Sequence, residues 1–323
     1  MYDVSFYEAF DEEQKALRHY LPSGIKASFT DRTIQEQADR HPQAPLICIR
    51  TQSEIPPDWA PRIRGILTRS TGFDHVRSYL ERNSPSLAAG YLPKYCARAV
   101  AEQAMLLWTA LMRRLPIQLD HFSHFNRDGL SGRECRNSTL LIVGVGSIGV
   151  EIADIGRGLG MNVLGVDIVQ RFPHVKYVSI EEGLAAADIV TCSMNLTSLN
   201  RAYFDAARLA TAKQGAVFVN IARGEMAPAS DLLQALDSGR LSGVGLDVYE
   251  NESLLAGSLR AGQDVNDPSV TALLQLARRP NVILTPHNAF NTIEAVDRKS
   301  AQTVEQIRKF LSDGTFVWPL PTA

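Results

Sequence analysis

The chain has few cysteines, no excess of charge of either sign and no long apolar run. Cys48, Cys96, Cys135 and Cys192 are far apart in 323 residues and form no Cys-x-x-Cys pair. That argues against a zinc knuckle and against a disulfide framework, and makes a reducing cytoplasm the expected compartment. Lys plus Arg number 33 and Asp plus Glu 35, for a net charge of -2, so there is no global basic field for nucleic acid or an anionic membrane. No stretch approaches the roughly 18 uninterrupted apolar residues of a membrane helix. The first residues are acidic and lack a basic segment followed by an apolar one, so no secretory leader is expected. Repeats and low-complexity tracts are absent as well. What is present is a globular composition, 45% hydrophobic and 21% charged, in a chain long enough for about two domains.

Organisation must therefore come from alternating strand and helix patterns. Short apolar runs at 4–7, 25–29, 46–49 and 65–67, separated by polar stretches at 11–20 and 33–40, read as a small α/β unit. Residues 97–115 form a long apolar helix. After a polar, Gly-containing stretch at 121–138, a second series of strands is expected at 139–143, 163–167, 188–193, 216–220, 243–248 and 282–285. Six strands alternating with helices point to a mostly parallel sheet covered on both faces. A last helix over 292–311, with Ile293, Val296, Val304, Ile307 and Leu311 on one side, would pack back on the first domain.

One motif stands at the start of the second series. Gly144-Val145-Gly146-Ser147-Ile148-Gly149 follows the strand Leu140-Leu141-Ile142-Val143 and opens a helix. The first glycine permits a tight turn, the second lets the backbone approach a pyrophosphate, and the third lets helix and strand pack closely. Asp167 closes the next strand, where a carboxylate accepts hydrogen bonds from the adenosine ribose and repels a 2'-phosphate. NAD is thus favoured over NADP, although an ordinary strand-end acid is the plain alternative for Asp167.

Polar residues just beyond the other strands converge on the same edge. Asn220-Ile221-Ala222-Arg223-Gly224 follows one strand, Asp247-Val248-Tyr249-Glu250-Asn251-Glu252 another, and Thr285-Pro286-His287-Asn288-Ala289-Phe290 the last. An Arg fork can hold a carboxylate and polarise the neighbouring carbonyl. A His can donate the proton as hydride arrives, and a Glu beside it stabilises the imidazolium. Taken singly, Arg223, Glu252 and His287 could each be a solvated or packed residue. Together, beside a dinucleotide turn, they meet the needs of 2-keto acid reduction.

These residues resemble the D-isomer-specific 2-hydroxyacid dehydrogenase family, most closely its D-lactate dehydrogenase-like members, over essentially the whole chain and most strongly from Tyr95 to Phe290. The resemblance implies an NAD-binding Rossmann domain at 105–289, inserted in a flavodoxin-like substrate domain formed by 1–104 and 290–323. It assigns Arg223 to the substrate carboxylate and carbonyl, His287 to acid/base work and Glu252 to partnering that histidine. Gly144, Gly146, Ser147, Ile148, Gly149, Asp167, Met194, Asn195, Asn200, Ile221 and Ala222 would lie along the cofactor, with Asp247 at the nicotinamide end. Thr71 and Gly72, in Ser70-Thr71-Gly72-Phe73-Asp74, match the loop whose backbone holds the substrate carboxylate. Tyr95 and Phe290 match substrate contacts of the family, with hinge packing the alternative for both.

The implied function is NAD-dependent interconversion of a small 2-keto acid and its D-2-hydroxy acid, pyruvate and D-lactate first, by a cytoplasmic homodimer. A glyoxylate or hydroxypyruvate reductase is the nearest alternative, and an NAD-sensing corepressor-like binding protein is the alternative outside enzymes. Glu252 argues against a formate-oxidising relative, which carries an amide there. Departures from the family pattern are Asn195 and Ser253, where Pro is common, and a longer stretch over 254–280. No metal is expected, since His121 and His124 have no further ligand at matching spacing. Cys96, next to Tyr95, is either a thiol that sensitises the enzyme or an inert buried one.

Overall fold

The computed structural model describes residues 2–263 and 265–321. They form two compact units. The first runs up to Cys96 and resumes at Asn291, and the second is Ala97–Phe290. Residues 97–104, given to the first domain on the sequence, thus belong to the second unit, because the helix they begin packs on its sheet.

In the first unit β1 (Val4–Phe6), β2 (Ala27–Phe29), β3 (Leu46–Ile49), β4 (Gly65–Thr68) and β5 (Ala88–Gly90) make a parallel sheet in the order β2-β1-β3-β4-β5, which is the flavodoxin-like order. Its strands are buried on both sides because alternate residues serve two cores. Leu46 and Cys48 join Val4, Phe6 and Leu67 against Val304, Ile307 and Phe310. Ile47, Ile49 and Ile66 turn the other way, onto Trp59, Val76 and Tyr79. Each fully buried side chain of this kind stabilises by roughly 1.5–3 kcal/mol.

The closing helix is Ile293–Asp313, started by Thr292, whose hydroxyl accepts the Ala295 N–H, and stopped by Gly314 at φ 78. It packs on the first unit as expected. Ile293 and Leu311 do not take part: Ile293 is 88% exposed, since the buried stripe begins only at Ala295–Val296 and ends at Phe310. Two short elements escaped the sequence reading, β5 and the helix Asp74–Asn83.

The second unit has seven parallel strands, β6 (Thr139–Val143), β7 (Asn162–Val166), β8 (Lys176–Tyr177), β9 (Ile189–Cys192), β10 (Ala216–Asn220), β11 (Leu241–Leu246) and β12 (Val282–Leu284), in the order β12-β11-β10-β9-β6-β7-β8. The chain steps outward from β6 to β8, then restarts on the other side of β6 with β9. That reversal makes the carboxyl ends of β6 and β9 the topological switch point where doubly wound sheets bind dinucleotides. The seventh strand, β8, is two residues long and too short to leave a pattern.

The long helix is Ala97–Met112, with Leu107 and Leu111 packed on Gly243 and Gly245 of β11. It ends before the expected residue 115 because Arg114 turns left-handed at φ 55 and Pro116 starts a second helix, Leu115–His121. The extended segment before β12 holds two helices, Glu252–Ala261 and Pro268–Leu276, whose Leu255, Val270, Leu273 and Leu276 join the core. Among the described residues no helix is long and apolar enough to cross a membrane.

Candidate active site

β6 runs into the glycine turn. Gly144 has φ 97, and a Cβ there would stand 2.6 Å from the Met194 nitrogen, while one at Gly149 would overlap the Gly144 carbonyl. A Cβ at Gly146 would meet no protein atom within 4 Å. Gly146 is also the N-cap of helix Ser147–Gly158 and offers no capping side chain. The helix start, with first-turn N–H groups that lack intrahelical acceptors, therefore opens on unfilled space, which fits the diphosphate of NAD. Ser147 is exposed and Ile148 half-buried at this end.

Asp167 stands one residue beyond β7. Its oxygens accept the Val145 N–H at 2.6 Å and the Val169 N–H at 2.9 Å. The half-buried carboxylate thus pins the glycine turn, and its remaining lone pairs can still accept ribose hydroxyls. After β9, Ser193 donates to the Gly144 carbonyl at 2.6 Å. Farther along, Asn200 donates to the Asn195 carbonyl at 2.8 Å and accepts the Thr197 N–H at 2.8 Å. Met194 is brought to the glycine turn, whereas Asn195 and Asn200 are tied to each other.

Arg223 is presented by a stapled turn after β10. The buried Asn220 side chain accepts the Ala222 N–H at 3.0 Å and donates to the Arg223 carbonyl at 2.8 Å. Ile221 and Ala222 are buried beneath it. Arg223 Nη1 donates to the Ala222 carbonyl at 2.8 Å. Gly224 must lack a side chain, because a Cβ would overlap the backbone of Tyr249 and Glu250. The Arg223 turn is thereby pressed against the turn that follows β11.

His287 depends on that second turn. Asp247, buried after β11, accepts from the Thr285 hydroxyl at 2.6 Å and from the Asn288 and Ala289 N–H groups at 2.8 Å each. Tyr249 donates its hydroxyl to the Thr285 carbonyl at 2.6 Å. These bonds hold His287 at φ 49, a left-handed conformation that costs a non-glycine residue free energy and persists only when its surroundings enforce it. Burial pushes the Asp247 carboxyl up, against the opposing pull of Thr285, His287 and the two N–H groups. The family resemblance implies the nicotinamide end for Asp247, and in the structure its oxygens are engaged in holding the histidine loop. Tyr249 and Thr285 lie in the same strand-end segments, and nothing in their spacing marks them as fasteners of this loop.

His287 Nδ1 is 2.7 Å and 2.9 Å from the two oxygens of Glu252, the first residue of its helix. The side chains are 18% and 16% exposed. A carboxylate on Nδ1 fixes the proton there and leaves Nε2 as the nitrogen that can gain or lose one.

Thr71, Gly72 and Tyr95 belong to the first unit. Ser70 Oγ donates to the Gly72 carbonyl at 2.6 Å, and Thr71 Oγ1 donates to the Leu92 carbonyl at 3.0 Å. The loop after β4 is thus strapped to the chain that follows β5. Tyr95 and Phe290 are both buried. Burial pushes the Cys96 thiol up, which makes it the inert kind rather than a reactive one. Among the described residues no group of three or more His, Cys, Asp or Glu is placed to hold a metal.

Behind the Thr71 loop lies an ionic cluster that the sequence reading missed. Arg69 Nε donates to Glu13 at 2.9 Å, and its terminal nitrogens donate to the Cys48 and Tyr7 carbonyls at 2.7 Å each. Lys299 Nζ is 2.7 Å from the same Glu13 oxygen. All three side chains are 0% exposed. Burial pushes the Glu13 carboxyl up, but Arg69, Lys299 and Arg50 together hold it at about 2. A visible signal was a charge on each helix's apolar face: Glu13 four residues before Leu17, and Lys299 three after Val296.

A parallel sheet that opens on a glycine turn with an acid at the next strand end, and closes on a histidine–carboxylate pair, is built for dinucleotide-dependent redox chemistry. Residues 105–289 match the model of the D-isomer specific 2-hydroxyacid dehydrogenase, NAD binding domain. The chain belongs to this family, and it is an NAD-dependent oxidoreductase, a 2-hydroxyacid dehydrogenase. It is 34% identical over 241 residues to a D-lactate dehydrogenase of Streptococcus agalactiae, covering 72% of each chain. It is 30% identical over 259 residues to an aromatic 2-oxoacid reductase of Clostridium sporogenes, covering 78% of this chain and 77% of the relative. The crystal structure of a D-lactate dehydrogenase from Aquifex aeolicus, complexed with NAD and lactic acid, superposes with a TM-score of 0.84 at 26% identity, covering 99% of this chain and 100% of that one.

Proposed function

We propose that the enzyme reduces a small 2-keto acid to the D-2-hydroxy acid with NADH, and catalyses the reverse reaction, pyruvate and D-lactate being the first pair to test. The observation that carries this reading is the Glu252–His287 pair at the same strand ends as Arg223. Bound NADH supplies a hydride to the carbonyl carbon. His287 Nε2 gives its proton to the carbonyl oxygen, and Glu252 stabilises the imidazolium that holds it. Arg223 grips the carboxylate and polarises the carbonyl. The family resemblance assigns the backbone N–H groups of Thr71 and Gly72 to carboxylate binding, and Tyr95 and Phe290 to substrate contact. Asp247 and Tyr249 fix the histidine loop. Gly144, Gly146, Ser147, Ile148 and Gly149 hold the diphosphate, Asp167 the ribose, and Met194, Asn195, Asn200, Ile221 and Ala222 line the cofactor. The likeness to D-lactate dehydrogenases supports this direction of chemistry. A panel of 2-keto acids that includes pyruvate, glyoxylate, hydroxypyruvate and phenylpyruvate, followed by loss of NADH absorbance, tests it. The absence of turnover with every acid would overturn the dehydrogenase assignment to this class.

Two predictions attach to the cofactor and the proton. NADH should be preferred to NADPH, and Asp167→Ala should raise KM for NADH by roughly tenfold or more, the usual cost of losing a charge-assisted hydrogen bond. Equal kcat/KM for the two cofactors in the parent would remove Asp167 from the ribose. Reduction requires the protonated His287 and oxidation the neutral ring. Glu252→Gln takes away the charge that stabilises the imidazolium, so kcat for reduction should fall by roughly tenfold or more while KM for NADH stays near that of the parent. A Gln variant with the kcat of the parent would show that Glu252 is not the electrostatic partner.

The homodimer is a proposal as well. The helical arm formed by Ala97–Met112, Leu115–His121 and the turn Phe122–His124 exposes Leu106 and Leu119, with Phe122 at 76% and, just beyond, Phe125 at 75%, apolar side chains that a second copy would cover. Sedimentation should give a dimer, and Phe122→Asp with Phe125→Asp a monomer. A monomeric parent would dispose of the idea. All four cysteines are thiols without disulfides, which supports a reducing cytoplasm as the compartment, checked by fractionation.

A further inference from the structure

The peptide that joins Gly144 to Val145 is held from both sides. The exit of β6 lies between β9 and β7 in the sheet, and a trans peptide points its carbonyl and its N–H in opposite directions. The N–H, that of Val145, donates to Asp167 beyond β7 at 2.6 Å. The carbonyl, that of Gly144, accepts the Ser193 hydroxyl beyond β9 at 2.6 Å. Backbone bonds continue the grip on each flank, from the Ser193 N–H to the Val143 carbonyl at 2.9 Å and from the Gly144 N–H to the Val166 carbonyl at 2.8 Å. All of these residues belong to the second unit.

This peptide needs holding. Gly144 is at φ 97, and glycine has no Cβ to hinder rotation of the plane that follows it. The Gly144 carbonyl lies beneath the helix that starts at Ser147, since a Cβ at Gly149 would stand 2.2 Å from its oxygen. Gly144 is buried and Ser193 half-buried, and a carbonyl so enclosed loses much when its donor is removed. The next residue but one is Gly146, the N-cap of that helix. The orientation of the Gly144–Val145 plane therefore sets where the chain enters the helix and how the first-turn N–H groups face the space above Gly146. Asp167 has a second assignment, the ribose, whereas the Ser193 bond can be removed by itself.

We propose that Ser193 is a positioning residue for the cofactor diphosphate. By fixing the Gly144 carbonyl it keeps the glycine turn in the form that receives two phosphates. This rests on the reading that Gly144 to Gly149 hold the diphosphate, and adds the residue that prepares them to do so.

The test compares ADP with adenosine as displacers of NADH, whose fluorescence reports its binding, in the parent, Ser193→Ala, Ser193→Thr and the control Thr191→Val. Adenosine has the ribose and lacks the phosphates. Thr191 is buried in β9, and its hydroxyl donates to the Leu141 carbonyl of β6 at 3.1 Å, so Thr191→Val removes a bond of the same kind away from the turn. Ser193→Ala should weaken ADP by roughly five- to fiftyfold, the range for a buried carbonyl left without its donor, with adenosine little changed. The dissociation constant and KM for NADH should rise with it, ahead of any change in kcat. Ser193→Thr, which keeps the hydroxyl, should regain most of the loss, and Thr191→Val should retain the parent's preference for ADP. An Ala variant with the parent's preference overturns the proposal. So does an equal loss of ADP and adenosine, or the same loss in Thr191→Val, since either makes the bond an ordinary structural one. A parent that binds ADP no better than adenosine removes the diphosphate from this turn, and the proposal falls with that reading.

Discussion

Arg223→Lys is expected to lower kcat/KM by on the order of 10²- to 10³-fold while leaving the thermal unfolding of the protein close to that of the parent. The size follows from the role proposed for the fork, holding a carboxylate and stabilising the oxygen that gains charge as hydride arrives. Removing one such donor ordinarily costs about 3–4 kcal/mol of transition-state stabilisation. Lysine keeps the charge but loses the planar pair of donors and their fixed spacing. The scaffold should tolerate the change, because the turn is held by Asn220 and by the close approach of Gly224 to Tyr249 and Glu250, not by the guanidinium. Steady-state kinetics with a 2-keto acid and NADH, beside a melting curve, separates the two effects. A fully active lysine variant would move the carboxylate site elsewhere, and a variant that fails to fold would give Arg223 a structural role instead.

Glu13→Gln should destabilise the first unit by about 3–5 kcal/mol, the cost of breaking a buried ion pair from one side. The remaining Arg69 and Lys299 would be two basic side chains at 0% exposure that have lost the carboxylate they share. Arg69 also gathers the Tyr7 and Cys48 carbonyls, so the ends of β1, β3 and β4 loosen together. Urea unfolding followed by tryptophan emission can resolve this, since Trp59 and Trp318 belong to the first unit and Trp108 to the second.

The pH dependence has a definite sign. The folded Glu13 carboxyl is held at about 2 against an ordinary 4.5. The stability it contributes is therefore present above about 4.5 and is lost as pH falls toward 2. The parent should lose stability over that window and the Gln variant should lose less. Equal stability of the two proteins at neutral pH would show that the cluster is neutral to folding.

What the sequence by itself determined was whatever is written locally. Strands β6 to β12, except the two-residue β8, leave apolar runs between turns, and the Gly144–Gly149 turn carries its own conformational requirement. His287, Arg223 and Glu252 could be found because each follows a strand end, and all parallel strands end on one edge. The caps of the last helix, Thr292 and Gly314, are likewise local. Ile293, by contrast, has the right spacing and no surface to pack on, and periodicity cannot report that.

Only the tertiary structure decided which side chains meet. The separation of 35 positions between Glu252 and His287 is closed by the pairing of β11 with β12 and by Asp247 fastening the histidine loop. Glu13, Arg69 and Lys299 come from the first helix, the end of β4 and the last helix, and nothing local links a charge on one apolar face to a charge on another. Hydrophobic burial fixes those helices on the sheet, and the charges they carry inward must then find one another, since an isolated charge in that interior would cost several kcal/mol.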